Sequence, residues 1–307
     1  MEKVTISDKT FKNFGQCIEI SNGIIDLLVT TELGPRIIRY GFKDQPNEFC
    51  DDAQLTLDLG NEEWRLYGGH RLWHSPEVYP RTYVPDNDPV RWERITDGIR
   101  VVSDAKLPNM IEKEMEITIS STGTNVRIVH KLTNKNAWAV EFAVWALSVM
   151  APGGIEIIPV PQHASHFSDG AKGLRIISLW SYAKMNDPSI CWGDKYITVR
   201  QDQGNKDGCK FGISNEDGWA AYLNKNHMFV KKYTHLGNSK YPDNGVSYET
   251  YFCDFMLEME SLSPLAKVEP GETIIHTEEW TLTDGVTLAS SDEKEMDEIV
   301  KKYIKMS

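Results

Sequence analysis

Spacing of apolar residues constrains this chain more than any other feature. Over most of its 307 residues they recur at every second position in short runs, and not at every third or fourth. That period of two is the signature of strands whose side chains point alternately to opposite faces. Segments 17–31, 37–42, 98–104, 112–120, 125–134, 138–150, 173–180, 196–202, 211–215, 228–235, 251–261 and 272–284 all read this way or as short β-rich runs. Asn, Gly, Asp and Pro punctuate them, as turns require.

One segment departs from the pattern. Across 292–306, Met296, Ile299, Val300 and Tyr303 fall at helical spacing, so a C-terminal helix with a single apolar stripe is expected. Ser290 and Glu293 stand in S-x-x-E order and predict a capping box, with acids in the first turns and lysines in the last, as the helix dipole prefers.

A chain of this length can bury a large core. An all-β protein of this size closes into a barrel or propeller or stacks two antiparallel sheets. No blade-length repeat is present, so the sandwich is favoured, with the helix docked on its outside. No linker or low-complexity tract interrupts the strands, and a single domain over 1–307 is expected.

Charge narrows the partners. With 45 acidic against 33 basic residues, the net charge of -12 supplies none of the basic field that nucleic-acid binding needs, and a neutral polar small molecule fits better. No apolar run reaches the length of a membrane span and no apolar h-region follows the N-terminal charges, so a cytoplasmic chain is expected. Cys17, Cys50, Cys191, Cys209 and Cys253 are odd in number and lack a C-x-x-C, which predicts free thiols and neither a disulfide framework nor a zinc ribbon.

The densest chemistry lies in YGGHRLWHSPE, from Tyr67 to Glu77. Gly68 and Gly69 permit a turn or a close backbone approach, and His70, Arg71, His74 and Glu77 add donors, acceptors and titratable groups. Trp73 adds a flat face suited to a sugar or base. With Arg81, Tyr83, Asp86, Asn87, Arg91 and Trp92 following on Pro-rich sequence, the stretch reads as a ligand site on loops. The alternative is a structural polar loop. His70 and His74 lie i, i+4, but HRLWH beside Pro76 is not the HExxH of a zinc helix, and no metal is assigned; a hard cation on Asp86, Glu258 or Glu260 stays open.

Two later segments add candidates. In FMLEMESLSP, alternation puts Met256, Glu258, Glu260 and Leu262 on one face and Phe255, Leu257, Met259 and Ser261 on the other. Two acids among apolar neighbours suit a cavity wall, where burial raises a carboxyl pKa and can make a base; a solvated face is the alternative. The stretch 231–252 carries Lys232, His235, Tyr241, Asp243, Asn244 and Glu249, either closing one side of the same pocket or forming an ordinary hairpin loop. His163 and His166 read as loop residues.

The order of GPRIIRYGF, YGGHRLWHSPE, KLTNKNAWAVEFAVWALSV, FMLEMESLSP and VEPGETIIHTEEWTL along the chain resembles galactose-mutarotase-like proteins of the aldose 1-epimerase superfamily, as a divergent branch. The resemblance is diffuse but spans almost the whole chain. It implies a β-supersandwich of antiparallel strands, a carbohydrate ligand and no cofactor. It also implies a late-strand glutamate as the base at the anomeric hydroxyl, matched here by Glu260 with Glu258 as second choice. The family's histidine, which protonates the ring oxygen, would fall near Trp145, so His70 or His74 is left to supply the acid. Arg36 and Arg71 would position hydroxyls, with Trp73 under the ring and Glu77, Glu258, Tyr241 and Asp243 as further substrate-binding candidates; a surface salt bridge is the alternative for Arg36.

Two functions are therefore expected. One is an aldose 1-epimerase-like isomerase working by general acid/base catalysis. The other is a non-catalytic carbohydrate-binding protein on the same scaffold. A glycoside hydrolase with two carboxylates across a cleft is a weaker third. The sequence does not indicate an oligomeric state.

Overall fold

The computed structural model describes residues 4–60, 62–162, 174–290 and 292–304. His163 and His166 lie outside these. The expected alternation is plainest in the Ile111–Ile119 strand, whose residues are buried and half-buried in strict turn. Among the described residues, antiparallel pairing gathers the strands into an eleven-stranded sheet, a ten-stranded sheet and a two-stranded hairpin. Their inner faces share the largest apolar core, in which Tyr40, Phe49 and Phe229 surround Trp280. The architecture is the expected sandwich.

The C-terminal helix, Glu293–Tyr303, lays Met296, Ile299 and Val300 on Ile157, Trp219, Leu223 and Met228 of the ten-stranded sheet's outer face. Its cap differs from the expected Ser290–Glu293 box. Asp292 is the N-cap and accepts the Lys294 amide at 3.0 Å, while Ser290 bonds Glu295 instead. Two capping residues competed within three positions, and the carboxylate holds the site favoured by the helix dipole. Among the described residues no helix is long and apolar enough to cross a membrane.

The centre of the eleven-stranded sheet positions the site. There the strands Gly69–Ser75, Val140–Met150, Leu257–Leu262, Tyr248–Phe252 and Cys209–Ile213 lie side by side. The HRLWH segment, expected in a loop, thus lies in the central strand Gly69–Ser75, all seven of whose residues are buried. Both of its faces are covered, so it lacks the polar–apolar alternation of a half-exposed strand. The Gly-Gly pair sits where backbones touch: a Cβ on Gly68 would meet the Cys50 carbonyl oxygen at 2.1 Å, and one on Gly69 the Ile37 carbonyl oxygen at 2.4 Å.

Candidate functional site

A strand sends alternate side chains to opposite faces, and here that sorts the candidate residues into two groups. On the outer face of the five central strands lie Arg71 and Trp73, Trp145 and Leu147, Glu258 and Glu260, Glu249 and Tyr251, and Lys210. Against this face stand Leu55, Leu57, Trp64 and Leu66 of the Ala53–Asp58 and Glu63–Tyr67 hairpin. With Glu77, Tyr83, Tyr182 and Met256 they enclose a cavity of about 170 Å³.

Two internal cations organise its wall. Arg71 places Nη2 3.0 Å from Glu258 Oε1, and its guanidinium lies 4.2 Å from the Trp73 ring centroid. Lys210 Nζ lies 2.8 Å from Glu249, 3.0 Å from Glu260 and 3.9 Å from Glu77. It also sits over the rings of Trp145 and Trp180, at 4.4 and 4.7 Å. Facing pairs of opposite charge and cation–π contacts explain how these groups tolerate burial.

Glu260 lies beneath the cavity wall. It is fully buried and accepts hydrogen bonds from Trp145 Nε1 at 2.9 Å and from Lys210. Burial pushes its carboxyl up to about 7 against the pull of Lys210, and burial likewise raises Glu249 well above the carboxylate range. Two carboxylates thus share one lysine away from water, and the Lys210 ammonium is held firmly charged. Glu77 is only half-buried and accepts from the Tyr83 hydroxyl.

The expected site is therefore assembled in part. Arg71, Trp73, Glu77 and Glu258 line one cavity, with Glu260 directly behind. His70 and His74, expected as acids in that cavity, point the other way into the sandwich, because they alternate with Arg71 and Trp73. Trp73 is not an open platform, since Arg71 covers one face and Trp64, Tyr83 and Trp145 crowd its edges at 5.2–5.7 Å. Arg36 is buried elsewhere, donating to the Gly68 carbonyl and lying 3.7 Å from Asp86. Asp86 is also paired with Lys113 at 2.6 Å, which commits it structurally. Tyr241 stacks on His235 and accepts the Leu236 amide; Asp243 lies by Ser75 and Ser178. Neither lines the cavity.

Sequence reasoning missed Lys210, Trp64, Tyr182 and Tyr251, and placed Glu249 in a loop although it lies in the Tyr248–Phe252 strand. One clue was available. In CKFGI, Lys210 is a lone cation in an apolar strand, a position that demands an acidic partner.

Behind the site, His70 joins a fully buried chain between the sheets. The His130 Nδ1 atom faces the His276 carbonyl at 3.1 Å and so must carry a proton. His130 Nε2 then accepts from His70 Nε2 at 2.7 Å, and His70 Nδ1 accepts from Ser148 at 2.9 Å. His276 donates to Ser261, which donates to Glu278, and Glu278 also receives Trp280 and Lys231. Burial drives His130 and His276 down to about 3 and His70 well below its usual value, in keeping with neutral rings. His70, His130 and Glu278 bring potential ligand atoms within 4.8 Å of one another. Their lone pairs and protons are nevertheless already matched, so the set fits a hydrogen-bond chain better than a metal sphere.

No protein-family model matches the chain, and no curated protein sequence does. Solved structures do. A candidate aldose 1-epimerase from Klebsiella pneumoniae superposes with a TM-score of 0.58 at 14% identity, covering 98% of this chain and 87% of that one. A candidate aldose 1-epimerase from Escherichia coli K12 gives 0.54 at 10% identity over 92% and 99% of the two chains. A candidate mutarotase from Salmonella typhimurium gives 0.55 at 9% identity over 92% and 96%. The fold is that of galactose-mutarotase-like proteins.

Proposed function

We propose that the cavity on the outer face of the eleven-stranded sheet binds a single sugar ring. One observation carries this reading: Arg71, Lys210, Glu77 and Glu258 converge in one aromatic-walled concavity, offering charged donors and acceptors between apolar surfaces. A polyhydroxylated ring needs that combination, with few polar groups fixing orientation and apolar walls excluding water. The volume of about 170 Å³ is below the roughly 300–1,000 Å³ of drug-sized pockets, which favours one ring over an oligosaccharide. The sugar-directed names of similar folds support the same class.

A second reading, anomer exchange, is favoured by the placement of Glu258 in the same cavity as the Tyr83–Glu77 pair. Glu258 takes the proton of the anomeric hydroxyl while the Tyr83 hydroxyl gives its proton to the ring oxygen, and both transfers reverse as the opened ring recloses on its other face. Glu260 serves here to hold Lys210, whose fixed charge steadies the negative charge left on the Tyr83 oxygen.

Saturation-transfer NMR on a panel of neutral aldoses tests binding, and exchange spectroscopy on the same samples tests turnover. Binding that is lost in Arg71→Met is expected. Glu258→Gln should abolish accelerated exchange while binding persists, because the amide keeps the shape but takes no proton. Exchange at the buffer rate in the unmutated protein removes the second reading and leaves the first. Absence of binding to every sugar overturns both.

A further inference from the structure

We propose that the preferred ligand is an amino sugar, with its ammonium group docked on Glu77. This inference rests on the sugar-binding reading above and specifies the ligand class. Its basis is the charge balance of the cavity. Arg71 is matched by Glu258 at 3.0 Å, and Lys210 lies closest to the buried Glu249 and Glu260 at 2.8 and 3.0 Å, of which a single ionised carboxylate suffices to match it. The third carboxylate near Lys210, Glu77, stands 3.9 Å away, and among the described residues its hydrogen-bond donor is the neutral Tyr83 hydroxyl. It is also the most open acid of the wall, its side chain 31% exposed where that of Glu258 is 8%. Glu77 is thus the surplus negative charge that a ligand can reach.

The surroundings suit a cation. The faces of Trp73 and Trp145 are already used by Arg71 and Lys210, which shows how this wall satisfies positive charge. Tyr83, Tyr182 and Tyr251 offer further rings around the same space. An ammonium entering here exchanges water for a carboxylate and aromatic faces, a charge-assisted contact of the kind that carries orientation as well as affinity. A uronate, by contrast, would meet Glu77 and Glu258 as like charges.

Isothermal titration with 2-amino-2-deoxyglucose, glucose and N-acetylglucosamine, and with the galactose series, provides the test. The free amine should bind about tenfold tighter than its neutral parent, the return expected of one charge-assisted hydrogen bond. The N-acetyl form should gain nothing over the parent. In Glu77→Gln the ratio of amine to parent affinity should collapse toward one. In the unmutated protein it should fall as pH rises and the ligand amine loses its proton, a measurement that needs no variant. Equal binding of amine and parent, or a preference that survives Glu77→Gln, overturns the amino-sugar assignment alone. Failure of all the sugars to bind overturns it together with the reading it rests on.

Discussion

Replacing Lys210 with Met removes the charge that holds the site together and sits over Trp145 and Trp180, while keeping an unbranched apolar side chain of similar length. Glu249 and Glu260, at 2.8 and 3.0 Å from Nζ and both essentially inaccessible, are then left buried without their cation. Removing one partner from a buried ion pair costs about 3–5 kcal/mol, because the remaining charge cannot return to water. The carboxyls relieve part of this cost by keeping protons. Their folded-state pKa values, already raised, rise further without Lys210. The sign follows from linkage: a carboxyl whose folded pKa exceeds its unfolded value of about 4.3 stabilises below that value and loses its contribution as pH climbs through the folded pKa. The Lys210→Met penalty should therefore be smallest near pH 5, where both proteins keep the Glu260 proton, and should grow as pH climbs above about 7, changing by at most about 1.4 kcal/mol per pH unit for each proton held. Urea unfolding followed by tryptophan fluorescence at pH 5 and pH 8 reads this directly. Adding Glu260→Gln should recover part of the loss at pH 8. A penalty below about 1 kcal/mol at pH 8, or the same penalty at both pH values, would refute the argument.

Three other outcomes are expected. Glu156, fully buried and bonded by Tyr248, is pushed by desolvation up to about 8, so its contribution is lost as pH rises from roughly 4.5 through 8; Glu156→Gln should gain stability relative to the unmutated protein between pH 5.5 and 8.5 in urea melts, and a pH-independent difference contradicts this. His130→Leu leaves the His70 Nε2 proton without an acceptor and should cost about 1–3 kcal/mol or more by chemical denaturation; a neutral substitution would break the proposed proton chain. Gly69→Ala, at φ +70° with a carbonyl oxygen 2.4 Å from the new Cβ, should lower the melting temperature by several degrees, whereas Gly123→Ala, where nothing lies within 4 Å, should cost less.

Most of the architecture was legible because a period of two survives in strands with one buried face, such as Ile111–Ile119, and because Met296, Ile299 and Val300 mark a helical stripe. The alternation of Glu258 and Glu260 against Leu257 and Met259 was legible for the same reason. The HRLWH strand was not, since with both faces covered its polar residues report two environments at once: Arg71 the cavity, His70 the proton chain. Lys210 escaped notice because its importance lies in three acids supplied by other parts of the chain, Glu77, Glu249 and Glu260, which only the folded register brings together. Arg36 carried no mark to separate a sugar contact from its actual partner Asp86, 50 residues distant in sequence.

The proposed ligand is one sugar ring in the cavity walled by Arg71, Glu77, Lys210 and Glu258. A crystal structure of the protein soaked with a monosaccharide that binds in the NMR panel tests this most directly. A ring in that cavity, within hydrogen-bond distance of Glu258 or Glu77 and against the aromatic wall, is the expected result. A sugar ordered elsewhere on the molecule, with the cavity holding only water, would contradict it.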